Sequence, residues 1–103
     1  MGDRPFRMEL ERTGGFGGLR LHSSVDVGVL PPEQAAALTD LVDRVDFVAL
    51  ERRPAQQASP DEFRYDLTVA RGDRRHHLVV GDRSAPPELR ELLARLVELA
   101  GRG

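Results

Sequence analysis

Residues Phe6 to Val27 read FRMELERTGGFGGLRLHSSVDV, and the fold is decided here. Phe6, Met8 and Leu10 alternate with Arg7, Glu9 and Glu11, the two-residue period of a strand with one buried and one wet face. The run Thr13-Gly14-Gly15-Phe16-Gly17-Gly18 breaks the pattern. It resumes with Leu19, Leu21, Val25 and Val27 inward against Arg20, His22, Ser24 and Asp26 outward, so the stretch predicts a β-hairpin. Gly28 ends it, and Pro31-Pro32-Glu33 opens a helix with a proline and an acid suited to the first turn. Its apolar positions Ala35, Leu38, Leu41, Val42 and Val45 keep helical spacing to about Val45.

The second half repeats this plan with different side chains. Phe47, Val48 and Leu50 make a short apolar exit, and Arg52 to Pro60 reads as a flexible polar loop. Phe63, Tyr65, Leu67 and Val69 alternate with polar residues, Arg71-Gly72-Asp73 supplies turn chemistry, and Leu78 to Val80 complete a second hairpin. Pro86-Pro87-Glu88 then introduces a helix striped by Leu89, Leu92, Leu93, Leu96, Leu99 and Ala100, with Gly101 as its stop. The order ββαββα predicts a two-layer α+β domain: a four-stranded, mainly antiparallel sheet with both helices on one face and the other face polar. If the first helix climbs back along the sheet, the Arg52 to Pro60 loop and the start of the third strand lie at the same end as the Gly-rich turn. The Gly72 turn then lies at the opposite end.

Length and composition bound the function. The 103 residues make one domain over 1–103, with an ordered core over about 6–100. With 40% hydrophobic and 31% charged residues the chain can fill a core and keep a soluble surface. A formal charge of −2 provides no field to recruit nucleic acid or an anionic membrane. There is no cysteine, hence no disulfide, thiolate metal site or cysteine nucleophile. Every basic residue is arginine, which excludes a catalytic lysine. Residues 1–8 lack the apolar stretch of a signal peptide and no apolar run spans a bilayer, so the expected compartment is the cytoplasm.

Few residues carry recognisable chemistry. Four glycines around Phe16 lack the lysine and following helix of a phosphate loop. Two readings of Phe16 carry equal weight: a side chain folded back onto the core, or an apolar anchor presented to a partner. His76 and His77 are adjacent in a strand and point to opposite faces, so they do not chelate one metal; neither a cofactor nor a metal of its own is expected. The Arg71 to Arg75 cluster reads as a charged surface. Asp46 and Asp61 lie at element boundaries beside aromatic residues, where local turn or helix-end hydrogen bonds are the favoured reading. No serine has the setting of a nucleophile, and nothing predicts an enzyme.

Taken together, Arg12-Thr13-Gly14-Gly15-Phe16-Gly17-Gly18, Asp26 with Leu30-Pro31-Pro32-Glu33, Val45-Asp46-Phe47 with Leu50, the alternation from Asp61 through Phe63, Tyr65, Leu67, Thr68 and Val69, and Ala85-Pro86-Pro87-Glu88-Leu89 resemble the emfourin-like inhibitors. These are bacterial proteins that block protealysin-like metalloproteases of the thermolysin family. The resemblance runs through nearly the whole chain. It implies a monomeric protein inhibitor that places two neighbouring loops in the protease active site, one offering an acid to the catalytic zinc and one offering apolar groups to the substrate pockets. On this pattern the protease-binding residues are Gly14, Gly15, Phe16, Gly17, Gly18, Pro60 and Asp61. Asp61 is the zinc-facing acid, with Asp46 and Asp26 as alternatives, Asp26 pairing instead with Val29 and Leu30 in a loop at the far end. The rival reading is a small non-enzymatic regulatory or adaptor domain that binds another protein through its open sheet face or its arginines.

Overall fold

A computed structural model describes residues 6–14, 20–53 and 62–101. Strands β1 (Phe6–Gly14), β2 (Leu21–Asp26), β3 (Phe63–Arg71) and β4 (Arg74–Gly81) form one antiparallel sheet in the order β2-β1-β3-β4. The two hairpins are joined through their first strands, since β1 pairs with β3 from Phe6↔Arg71 to Gly14↔Phe63. The α+β class, the element order and the antiparallel sheet agree with the sequence reading.

The alternation decides which face is covered. Met8, Leu10, Val25, Tyr65, Leu67, Val69 and Leu78 share one face and are buried. Arg7, Glu9, Ser24, Arg64, Arg75 and His77 stand exposed on the other. Helix α3 (Pro87–Gly101) packs on β2 and lays Leu89, Leu92, Leu93 and Leu96 into the core. Each such leucine contributes about 1.5–3 kcal/mol by leaving water. Gly101, the expected stop, is the last residue of the helix. Helix α1 (Pro32–Arg44) packs on α3, adding Leu38 and Val42.

Two further short helices refine the sequence reading. Val27–Val29 form a 3-10 turn in place of the last residues expected in the second strand. The apolar exit after α1 is a helix, α2 (Phe47–Glu51), rather than an irregular segment. It packs on β4, with Phe47 stacked on His76 at 5.2 Å between ring centroids and Glu51 Oε1 2.7 Å from His76 Nδ1. His77 lies on the opposite sheet face with Nε2 2.6 Å from Asp66 Oδ1, as the strand period requires.

The β3–β4 turn is two residues long, Gly72-Asp73, and Gly72 alone takes a positive φ (63°), the type II′ pattern that suits the twist of a hairpin. One geometric expectation is corrected. Helix α1 does not climb towards the Gly14 end; its last turn sits at the Gly72 end, where Arg71 donates to Asp43 at 2.7 Å. Arg71 also covers the Phe6 ring at 4.8 Å, so this part of the arginine cluster serves the sheet end.

Candidate functional site

The register of β1 on β3 sets the Gly14 end. Gly14 faces Phe63 across the ladder, so the chain entering residues 15–19 and the chain leaving residues 54–61 attach side by side at one end of the two central strands. The start of the third strand therefore lies at the end where the sequence reading puts it, although not by way of the helix direction it assumed. Gly15, Phe16, Gly17, Gly18, Pro60 and Asp61 themselves lie outside the described residues.

Gly14 is required by its position. Its φ is +96°, and a Cβ built there would stand 2.8 Å from the carbonyl oxygen of Glu62, a main-chain atom with little room to retreat. The backbones at the two points of attachment are therefore in direct contact. Glu62 itself is the one acidic residue buried among those described; its side chain is 7% exposed. Its Oε2 accepts from the Arg83 N–H at 3.4 Å and lies 3.7 Å from Arg83 Nε. The Asp82 N–H donates to the Phe63 carbonyl (3.1 Å) and the Ser84 N–H to the Gly81 carbonyl (3.1 Å), so the turn after β4 is laced to the start of β3.

The inner sheet face beside this contact is held by aromatic and charged groups together. Arg12 follows Met8 and Leu10 on the core face, an unusual place for a guanidinium, and it lies over the Phe63 ring at 4.3 Å from the centroid. Tyr65 is buried in the next row, directly across from Arg12 in the ladder. Burial first, then the charge and hydrogen bond of Asp82, push its phenol above the ordinary 10.0, with Arg12 acting in the opposite direction. Sequence reading did not single out Glu62, Arg12 or the Tyr65–Asp82 pair. Arg12 was detectable as a charge on an otherwise apolar strand face. Glu62 was not, because its burial comes from a turn twenty residues further on.

The two alternative acids serve local structure. Asp46 Oδ1 accepts the Ala49 N–H at 3.0 Å and caps α2, while Asp26 Oδ1 accepts the Gly28 N–H at 3.0 Å and caps the 3-10 turn. Asp26 pairs with Arg7 near the start of β1, so it belongs to the end opposite Gly14. Close to it, Val29 is 78% exposed and Leu30 half-buried. Among the described residues no group of three or more His, Asp or Glu side chains is placed to hold a metal ion. No helix among them is long and apolar enough to cross a membrane.

Comparison with known proteins gives two matches of different kinds. A family model described as Emfourin matches residues 10–97. Among solved structures the chain is similar to emfourin (M4in) from Serratia proteamaculans, titled an M4 family peptidase inhibitor, with a TM-score of 0.51 and 18% identity over 95% of this chain and 92% of that one. At that identity the likeness establishes the shared fold. No curated protein matches.

Proposed function

Because the chain belongs to the Emfourin family, whose model spans residues 10–97, we propose that it is a protein inhibitor of a thermolysin-family zinc metalloprotease and has no enzymatic activity of its own. The observation that carries this reading is the meeting of Gly14 and Glu62. It brings together the described residues that border two segments of the sequence, one containing Phe16 and the other Asp61, which supports reading them as a pair. In this reading Phe16 enters an apolar substrate pocket, and glycines on either side let the backbone approach the cleft wall. Asp61 takes the coordination position that a thermolysin-type zinc keeps open for water, since a carboxylate is a good zinc ligand.

The division of labour among the aspartates supports Asp61 over its alternatives. Asp46 and Asp26 already accept backbone N–H groups at 3.0 Å, and redirecting either to a metal would uncap the helix or turn it begins. The near-neutral charge of the chain suits recognition through a few loop residues rather than long-range steering.

The test is direct. The purified protein is mixed with a thermolysin-family protease and cleavage of a fluorogenic peptide is followed; the reading requires the rate to fall to a plateau near zero as inhibitor passes equivalence. Unchanged cleavage at large excess, against several members of that protease family, overturns it.

A further inference from the structure

The end of the sheet opposite Gly14 holds guanidinium groups that the fold leaves unanswered. Arg71 and Arg74 face each other across the last rung of the β3–β4 ladder, a like-charged pair that costs stability where no anion answers it. Asp43 answers Arg71 at 2.7 Å, whereas Arg74 is exposed and makes no ion pair among the described residues. The same holds for Arg7 and Arg75, which flank the small Ala70 in one row of the open sheet face. Between Phe6 and the turn lies a notch of about 360 Å³, lined by Phe6, Arg71, Gly72, Asp73 and Arg74. Its apolar wall is the Phe6 ring, with the Arg71 guanidinium 4.8 Å from the centroid. On the β2 side of Phe6, the 3-10 turn adds Val29, 78% exposed.

An arginine fork takes a carboxylate through two parallel N–H donors, and an aromatic wall beside it takes an apolar side chain. Glu9, Asp26, Asp43 and Asp73 stand among these arginines, so this end carries no excess charge to hold a polyanion such as nucleic acid. What it offers is short-range: unoccupied donors beside apolar surface. We propose that the notch binds an acidic segment of a partner protein. An apolar side chain of that segment lies against Phe6, the neighbouring carboxylate is taken by Arg74, and Arg7 and Arg75 take a second carboxylate from the open face. The site is at the far end of β1 from Gly14 and does not depend on the protease reading.

The probe that tests it is a synthetic peptide alternating glutamate and leucine, titrated into the isotope-labelled protein while its amide resonances are followed. Saturable shifts should gather at Phe6, Arg7 and Arg71 to Arg75 and spare Gly14. Replacing the peptide's glutamates by glutamine, or its leucines by serine, should each weaken binding roughly tenfold, as should Arg74→Gln in the protein. Arg74→Gln should also unfold at a slightly higher temperature than wild type, because it relieves the like-charged pair with Arg71; a merely structural arginine would lower the midpoint when removed. Equal binding of the glutamine peptide, shifts centred elsewhere, full affinity of Arg74→Gln or a lowered midpoint each overturn the proposal. So does an oligonucleotide that binds as tightly with the same shifts, since charge alone would then suffice.

Discussion

Replacing Gly14 by alanine tests whether the meeting of the two central strands is as tight as its geometry requires. The φ of +96° lies in a region that residues with a Cβ rarely adopt, and holding alanine there costs about 1–3 kcal/mol. The new Cβ would also lie 2.8 Å from the Glu62 carbonyl oxygen, which must retreat by roughly half an ångström to reach van der Waals contact. That oxygen belongs to main chain bound to the turn after β4, so the strain adds to the backbone term and the total comes to ~2–4 kcal/mol. In a domain of this size that lowers the thermal midpoint by roughly 10–25 °C. Urea titration followed by circular dichroism measures the difference, with Gly28→Ala as the internal control. A Cβ at Gly28 meets only the Asp26 Oδ1 at 3.3 Å, and the φ there is not left-handed, so that variant should stay within about 1 kcal/mol of wild type. Gly14→Asn separates the two causes, because asparagine tolerates positive φ but brings the same Cβ. A Gly14→Ala protein within about 1 kcal/mol of wild type would refute the reasoning.

The other expectations concern the core, the lone tyrosine and the segments proposed to bind the protease. Leu92 is fully buried in α3, so Leu92→Ala should cost ~2–5 kcal/mol by denaturant titration, whereas Val48→Ser on the exposed side of α2 should stay within about 0.5 kcal/mol. Tyr65 is the only tyrosine, and its phenol is raised by burial and by Asp82, so absorbance titration should give a midpoint above 10.0, and Asp82→Asn should bring it down. Because the folded state holds this proton more tightly than the unfolded chain does, the associated stability is complete below pH 10 and is lost as pH rises from there through the folded-state value. For inhibition, Asp61→Ala and Phe16→Ala should each weaken binding by ~2 kcal/mol or more, while Asp73→Ala at the Gly72 turn should leave the inhibition constant unchanged.

Much of this fold could be read from the chain because its strands obey a strict two-residue period. Met8, Leu10, Leu67 and Val69 are inward by alternation and buried in fact. The helices were legible through Pro31-Pro32-Glu33 and Pro86-Pro87-Glu88 and through their leucine stripes. What escaped was whatever depends on contacts distant in sequence. Helix α2 is a single turn or so, too short to show a period, and it owes its existence to the Asp46 cap and to Phe47 packing on His76 of β4. The course of α1 was misjudged because its direction is set by α3, which the chain has not yet made when α1 ends. Of the candidate site, Gly14 was legible as one of an odd cluster of glycines and Asp46 as a local hydrogen-bond acceptor, whereas the capping role of Asp26 was not read. The Glu62–Arg83 bond was not, since alternation puts Glu62 out of phase with Phe63 and Tyr65 and only the returning turn after β4 buries it.

The pairing of β1 with β3 has a consequence for how the protein survives beside its proposed target. The two hairpins are local and can form early, but Gly14 meets Phe63 only after some fifty residues of chain have been closed into a loop, the kind of long-range pairing that slows folding and makes it all-or-none. Neither half can build the junction alone. A protease therefore meets two populations: complete molecules, which present both roots together, and open chains, which are ordinary substrates. Their ratio is set by the global unfolding free energy, and when opening and closing outpace cleavage that ratio also sets the rate of digestion. In this architecture resistance to the enzyme and the capacity to block it rise and fall together, because both wait on the same central pair of strands.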